Sequence, residues 1–423
     1  MTIILFSFLV LICVSLLVWG ILKPQRVIQY PFLAASVFSG WILPQFIGLI
    51  INHEELPKGA LDKTLLMTIF CIVGCFAGHC IKAKPASLLS KCYFDSRRLL
   101  IASAILSLLG AYFFYRVGLL ADTAGGIWTG VITIFYFLSG MLFVGVAIAT
   151  VVYVHSPSYA ALLIIVFDLS FFLNRVLLQG RRRALIEICS LLALALWFRF
   201  RRVPSRALIV SIFLIGTLWI NSIGDYRNSV QSGQLSWSEL SEINFIGNFK
   251  DLAQNGGHEV RNAVFNIAAY DRYGGFDLGI VYWNQFVRFY VPGQIIGRDI
   301  KESLFVDKKD VVSSNYSHTR KTGTTSTGMS DSFQSFWYFG ALNFVFISYV
   351  LRKIFRAANN NSVAAQILLI LILPTTLEAI THGTERFFLA WPRIIAFLLP
   401  ALLFAKIKIQ KNKNRLYGLN HTE

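Results

Sequence analysis

A chain of 423 residues that is 55% hydrophobic, only 14% charged and of mean hydropathy +0.60 is too apolar for a soluble domain, where charge averages roughly 25%. Its net charge of +17 would suit a nucleic-acid partner if the basic residues shared one face. Residues 224–332, however, hold 11 Lys+Arg against 12 Asp+Glu, so the excess lies in short connections between apolar runs, which is topology charge and excludes nucleic acid as the partner.

The apolar runs recur at the length needed to cross about 30 Å of hydrocarbon as helices. Eleven candidate spans follow: 2–22, 30–51, 64–81, 99–119, 127–153, 159–178, 184–200, 206–223, 333–351, 362–381 and 388–405. They are continuous rather than alternating, which excludes a β-barrel. The predicted fold is an all-α polytopic membrane protein of about 11 transmembrane helices with one large, mostly helical loop. Residues 1–223 form an N-terminal bundle, 224–332 the loop, 333–405 three further spans and 406–423 a basic tail.

The first run has no basic n-region and no clear cleavage site, so it reads as a retained span. The six cysteines lie in or beside the spans, which argues against a disulfide framework. Cys71, Cys75 and His79 form a stripe on the third span. One helix rarely supplies three good metal ligands, so these read as buried small side chains, and no metal is expected.

Lys and Arg then set sidedness. One alternate set of connections carries Lys23, Arg26, Lys82, Lys84, Lys91, Arg97, Arg98, Arg199, Arg201, Arg202, Arg206, Arg352, Lys353, Arg356 and the tail. This set is expected in the cytoplasm. The opposite set holds the N-terminus, the long loop and Gln179-Gly180-Arg181-Arg182-Arg183. A three-arginine cluster outside runs against the bias. It is a tolerated topology charge or an anion site, since guanidinium pairs bidentately with phosphate. Asp168 and Arg175 are seven apart and share a helix face, and Glu187 can pair with Arg183 once a helix has begun.

Within the loop, Ser236-x-x-Glu239 reads as a capping box, Gly256-Gly257 as a stop, and 258–273 as a helix closed by Gly274-Gly275. Residues 279–291 are aromatic and apolar around Arg288, too short to span, and closed by Pro292-Gly293. They suit an interfacial anchor or a sugar-phosphate site. Residues 313–332 are Ser, Thr or Gly at thirteen of twenty positions, with His318, Arg320 and Lys321 inside and Asp331 near the end. This segment is a solvated linker or one that orders over substrate. Glu378 and His382 lie four apart beside Glu385 and Arg386, expected on the arginine cluster's side.

There is no P-loop, dinucleotide fingerprint, zincin or G-x-S-x-G motif. A site facing away from cytosolic nucleotides needs a pre-activated donor carried on lipid. In this pattern Gly180-Arg181-Arg182, Asp225-Tyr226-Arg227, Pro292-Gly293, Gly328-Met329-Ser330-Asp331 and Phe336-x-x-Phe339-Gly340 stand out. With the span-and-loop layout, the chain resembles the oligosaccharide repeat-unit (O-antigen or capsule) polymerases of the Wzy type, relatives of the O-antigen ligases. The resemblance implies a glycosyltransferase of GT-C type in the bacterial inner membrane. It would polymerise undecaprenyl-diphosphate-linked repeat units on the outer face, with no metal or other cofactor and with a chain-length regulator protein as a candidate partner.

The expected roles are diphosphate binding by Arg181, Arg182, Arg183 and Arg227, helped by Arg288 or Arg320, and proton removal by Asp225, His318, Asp331 or Glu378. Of these, the resemblance supports only Arg181, Arg182 and Arg227. The alternatives are a flippase or transporter of lipid-linked glycans, an O-antigen ligase, and a membrane O-acyltransferase.

Overall fold

The computed structural model describes residues 1–82, 84–85, 92–123, 130–177, 179–202, 204–231, 243–307, 311–316, 318–319 and 324–407; side chains at 121–123, 223 and 227–231 lie outside the description. Among the described residues every regular element is a helix, and the one isolated β-bridge joins Phe94 to Lys406.

Nine of the described helices or helix pairs are long and apolar enough to cross a membrane. They are α1 (Thr2–Leu22), α2 (Tyr30–Ile51), α3 (Ala60–Cys80), α4 (Ser96–Thr123), α5 (Val131–His155) and α6 (Tyr159–Leu177), then Gly328–Asn359, Val363–Thr381 and Glu385–Ala405. The chain is thus an all-α protein with the helices of a multi-pass membrane protein. α2 continues through a π turn at Phe38–Ile42, and Gly140 breaks the middle of α5.

The other two expected spans fold as α7 (Arg182–Phe200) and α8 (Arg206–Gln231). α7 carries Arg182, Arg183, Glu187 and Arg199, and the apolar part of α8 is only Arg206–Ser222, so neither joins the nine. The loop helices are α9 (Phe245–Asn255), α10 (His258–Tyr273) and α11 (Ile280–Tyr290). Gly256, Gly274 and Gly275 adopt positive φ where the sequence pattern placed helix stops. The proposed capping box at Ser236 and Glu239 lies outside the described residues.

The ninth expected span, 333–351, differs. It is split into α12 (Gly328–Phe336) and α13 (Leu342–Asn359) by a 3-10 turn over Trp337–Ala341. α12 buries Ser330, Asp331, Ser332 and Ser335, groups that need protein rather than lipid around them. The turn closes tightly: a Cβ at Gly340 would lie 2.1 Å from Ser332 O. α14 (Val363–Thr381) is almost wholly enclosed, and α15 (Glu385–Ala405) follows it. Close helix approach at small residues is the membrane packing rule. At Gly78 a Cβ would meet Val345 O at 2.1 Å, which seats α3 on α13.

Contacts sort the helix ends into two faces. On one, Arg352 donates to Ile81 O (3.1 Å), Arg199 to Val154 O (2.7 Å), Asp95 N to Ala405 O (2.9 Å) and Ile407 N to Tyr93 O (2.9 Å). On the other, Thr2 donates to Asp62, Asn52 to Gln254 O (2.7 Å), Val260 N to Gln45 Oε1 (3.1 Å) and Tyr226 to Leu177 O (2.7 Å), while Arg261 pairs with Glu55 (2.7 Å) and Lys63 with Asp271. The loop helices sit on this second face.

α7 spans from face to face. Arg183, near its start, meets Glu378 at the end of α14 (3.4 Å). Arg201, just past its end, donates to Asn359 Oδ1 (2.9 Å) and Asn361 Oδ1 (2.7 Å), just before α14 begins. α7 therefore runs antiparallel to α14 along its whole length. α8 starts beside Arg201 and reaches Tyr226 on the second face, about 30 Å at 1.5 Å per residue.

Candidate functional site

At the second face a cavity of about 1650 Å³ opens among α4, α5, α6, α7 and loop residues 288–305. Six cations line it, Arg175, Arg181, Arg183, Arg288, Arg298 and Lys301, against two carboxylates, Glu187 and Glu302. Between them lie apolar and aromatic walls, including Phe114, Phe137, Phe289 and Phe305. The arrangement matches an amphipathic anion better than a fully solvated one.

The arginines reach the cavity through a turn. Gly180 has φ +55°, a left-handed conformation that glycine takes without steric cost. Arg181 N donates to Arg175 O (3.1 Å) across that turn, and α7 begins at Arg182. Successive helical side chains point about 100° apart, so three consecutive arginines do not all face one way. Arg181 is exposed on the cavity, Arg182 lies over the Trp41 ring at 4.6 Å, and Arg183 both lines the cavity and turns to carboxylates. Its Nε donates to Glu187 Oε1 (2.9 Å) and is 3.4 Å from Glu378 Oε1; both carboxylates are buried. The expected Arg183–Glu187 pair thus forms, with Glu378 as a second acceptor.

Arg288 lines the cavity as well, whereas the Arg227 side chain and Arg320 lie outside the described residues. None of the four expected bases lines it. Asp225 is exposed and accepts from Asn248 (2.6 Å). His318 stacks on Phe265, centroids 4.1 Å apart, with Nε2 3.0 Å from Asn262 Oδ1. Asp331 is buried on α12, where Oδ2 accepts from Thr384 N (3.0 Å) and Oγ1 (2.8 Å). Tyr282 and Ser332 also meet Thr384 Oγ1, so Asp331 ties α12 to the start of α15. Glu378 stands one contact behind the cavity, through Arg183.

The Asp168–Arg175 face-sharing does not become a pair. Seven residues advance about 10 Å along a helix, beyond direct contact. Asp168 instead accepts from Ser107 (2.7 Å), and Arg175 lies over the Phe114 ring at 4.6 Å.

Several residues escaped the sequence reading. Arg298 and Lys301 join the rim because Pro292-Gly293 turns the chain back towards Arg288, whose carbonyl accepts from Lys301 Nζ (3.1 Å). Partial burial and the neighbouring Arg288 hold the Lys301 ammonium below its usual pKa, a cost that a bound anion would offset. Arg393 on α15 lies within electrostatic reach of Arg183, Tyr290, Tyr136 and Glu187. An arginine in the middle of an apolar run was a signal in its own right, since such charges face a cavity or a partner.

His382, in the turn between α14 and α15, is kept neutral. Burial first, then Arg386, Arg182 and Arg183, lower its pKa to about 4. Unfolded, the ring titrates near about 6.5. Between those values the unfolded state binds more protons, so His382 removes stability as pH falls through that window. Thermal unfolding of the detergent-solubilised protein should therefore soften between about pH 6.5 and 4, and His382→Gln should flatten that part of the profile. An unchanged profile in the variant would refute the assignment.

No family model, curated protein or solved structure matches the chain. The site's chemistry rests on its own geometry.

Proposed function

We propose that the chain is a membrane glycosyltransferase that joins undecaprenyl-diphosphate-linked oligosaccharide repeat units into a surface polysaccharide. The observation that carries this reading is the convergence of six cations from two helix ends and a loop on one apolar-walled cavity of about 1650 Å³. A lipid-linked diphosphate sugar has the matching parts: a double anion, a bulky polar glycan and a hydrocarbon tail. Guanidinium groups fixed in a partly desolvated site favour charge that builds on the departing diphosphate more than water can.

Sidedness follows from the charge bias. The face that gathers Arg199, Arg201 and Arg352 is the cytoplasmic one in this reading, which puts the cavity, the loop helices and Glu378 outside. The depth of α7 and α8 supports eleven crossings. Because the two form a pair, counting or omitting them leaves the sidedness of every other segment unchanged.

A flippase would need polar groups continuing to the opposite face, whereas these cations lie at one end of the bundle. Purified protein in liposomes, given lipid-linked repeat units, should produce a ladder of extended glycans. Translocation without extension would favour a transporter, and transfer only to an added lipid A core would favour a ligase. Either result would overturn the polymerase reading.

A further inference from the structure

Resting on the glycosyl-transfer reading, we infer that Glu187 is the general base that activates the acceptor hydroxyl. A base must reach the substrate, and among the carboxylates of the described residues only Glu187 and Glu302 line the cavity. Glu302 is exposed on the rim, in bulk water. Glu187 is buried at 5% exposure on the first turns of α7, beneath the arginines.

Its surroundings suit the role. Arg183 Nε engages Oε1, which leaves Oε2 as the oxygen offered to the acceptor. Arg183 also binds Glu378, so one guanidinium serves two carboxylates. Glu187 is thereby oriented by a cation that it shares. The ionisable groups that face it from other elements are Tyr136 of α5, Arg175 of α6 and Arg393 of α15. Glu378 holds Arg183 from behind and acts as a positioning residue.

In the reaction, Glu187 Oε2 takes the proton of the acceptor sugar's hydroxyl as that oxygen bonds to the anomeric carbon of the donor. The bond from the anomeric carbon to the diphosphate oxygen breaks. Its electron pair leaves with the polyprenyl diphosphate, whose charge meets Arg175, Arg181 and Arg288. Glu187 then returns the proton to cavity water.

The test uses the full chain in liposomes with lipid-linked repeat units. A wild-type protein that forms no ladder would sink the polymerase reading itself. Given a wild-type ladder, Glu187→Gln should lower turnover roughly 10²–10⁴-fold, the usual worth of a general base, while KM changes less than about threefold. Added formate should restore part of the turnover of Glu187→Ala, and Glu378→Gln should show no formate response. Glu187→Asp keeps the charge opposite Arg183 and covers the case in which the neutral variants fail to fold. It should lose at least about tenfold in turnover by withdrawing the carboxylate one methylene. Turnover within about threefold of wild type in Glu187→Asp, or Glu187→Ala without formate rescue, would overturn the assignment.

Discussion

Arg183→Ala is expected to cost about 3–5 kcal/mol of stability, the usual penalty for leaving buried charge without its partner. Arg183 is the cation that Glu187 and Glu378 share, at 2.9 Å and 3.4 Å, and both carboxylates are enclosed. Removing it strands two negative charges at the junction of α7 and α14. The check is thermal unfolding in detergent as a double-mutant cycle. Adding Glu378→Gln to Arg183→Ala should recover part of the loss, because neutralising one carboxylate relieves the repulsion that the first substitution exposes. Additive losses would show that the two side chains are not coupled.

The largest effect on activity is expected from Arg181→Ala combined with Arg288→Ala. Both side chains are exposed on the cavity, so the fold should tolerate their loss. Each removes a cation from the place where, in the proposed glycosyl transfer, leaving-group charge would develop, and one such donor is worth roughly 10²–10³ in turnover. Cells carrying the double variant should show single repeat units and no long chains at normal protein level. Arg182→Ala should be milder, because its guanidinium lies over Trp41 rather than towards the cavity. Long chains in the double variant, or an Arg182→Ala defect equal to it, would contradict the cavity as the binding site.

The contrast between Arg181 and Arg182 shows where sequence reasoning stops. The run Arg181-Arg182-Arg183 was legible as a cluster, and charge bias marked it as unusual. Adjacency in sequence is not adjacency in space on a helix, since each residue turns the side chain by about 100°. Arg181 and Arg183 therefore line the cavity, Arg183 while held by a pair of carboxylates, and Arg182 lies over an indole. Likewise Asp331 is conspicuous in a Gly-Met-Ser-Asp string, but its partner Thr384 is 53 residues away. Its position as a tie between α12 and α15 required both helices to be placed.

The sequence by itself determined the class of molecule. Run length and continuity specify helices of membrane length, and in lipid a backbone that bonds within one segment is the local solution. Glycine pairs marked the stops of α9 and α10 for the same local reason. Only the tertiary structure decided the site. Arg288, Arg298 and Lys301 reach the cavity because the loop folds back over α5 and α7, and Glu187 is preferred to Asp225, His318, Asp331 and Glu378 because it alone of these lines the cavity. Helix formation is governed by contacts within a few residues, whereas convergence of charge depends on contacts more than a hundred residues apart, which no local pattern encodes.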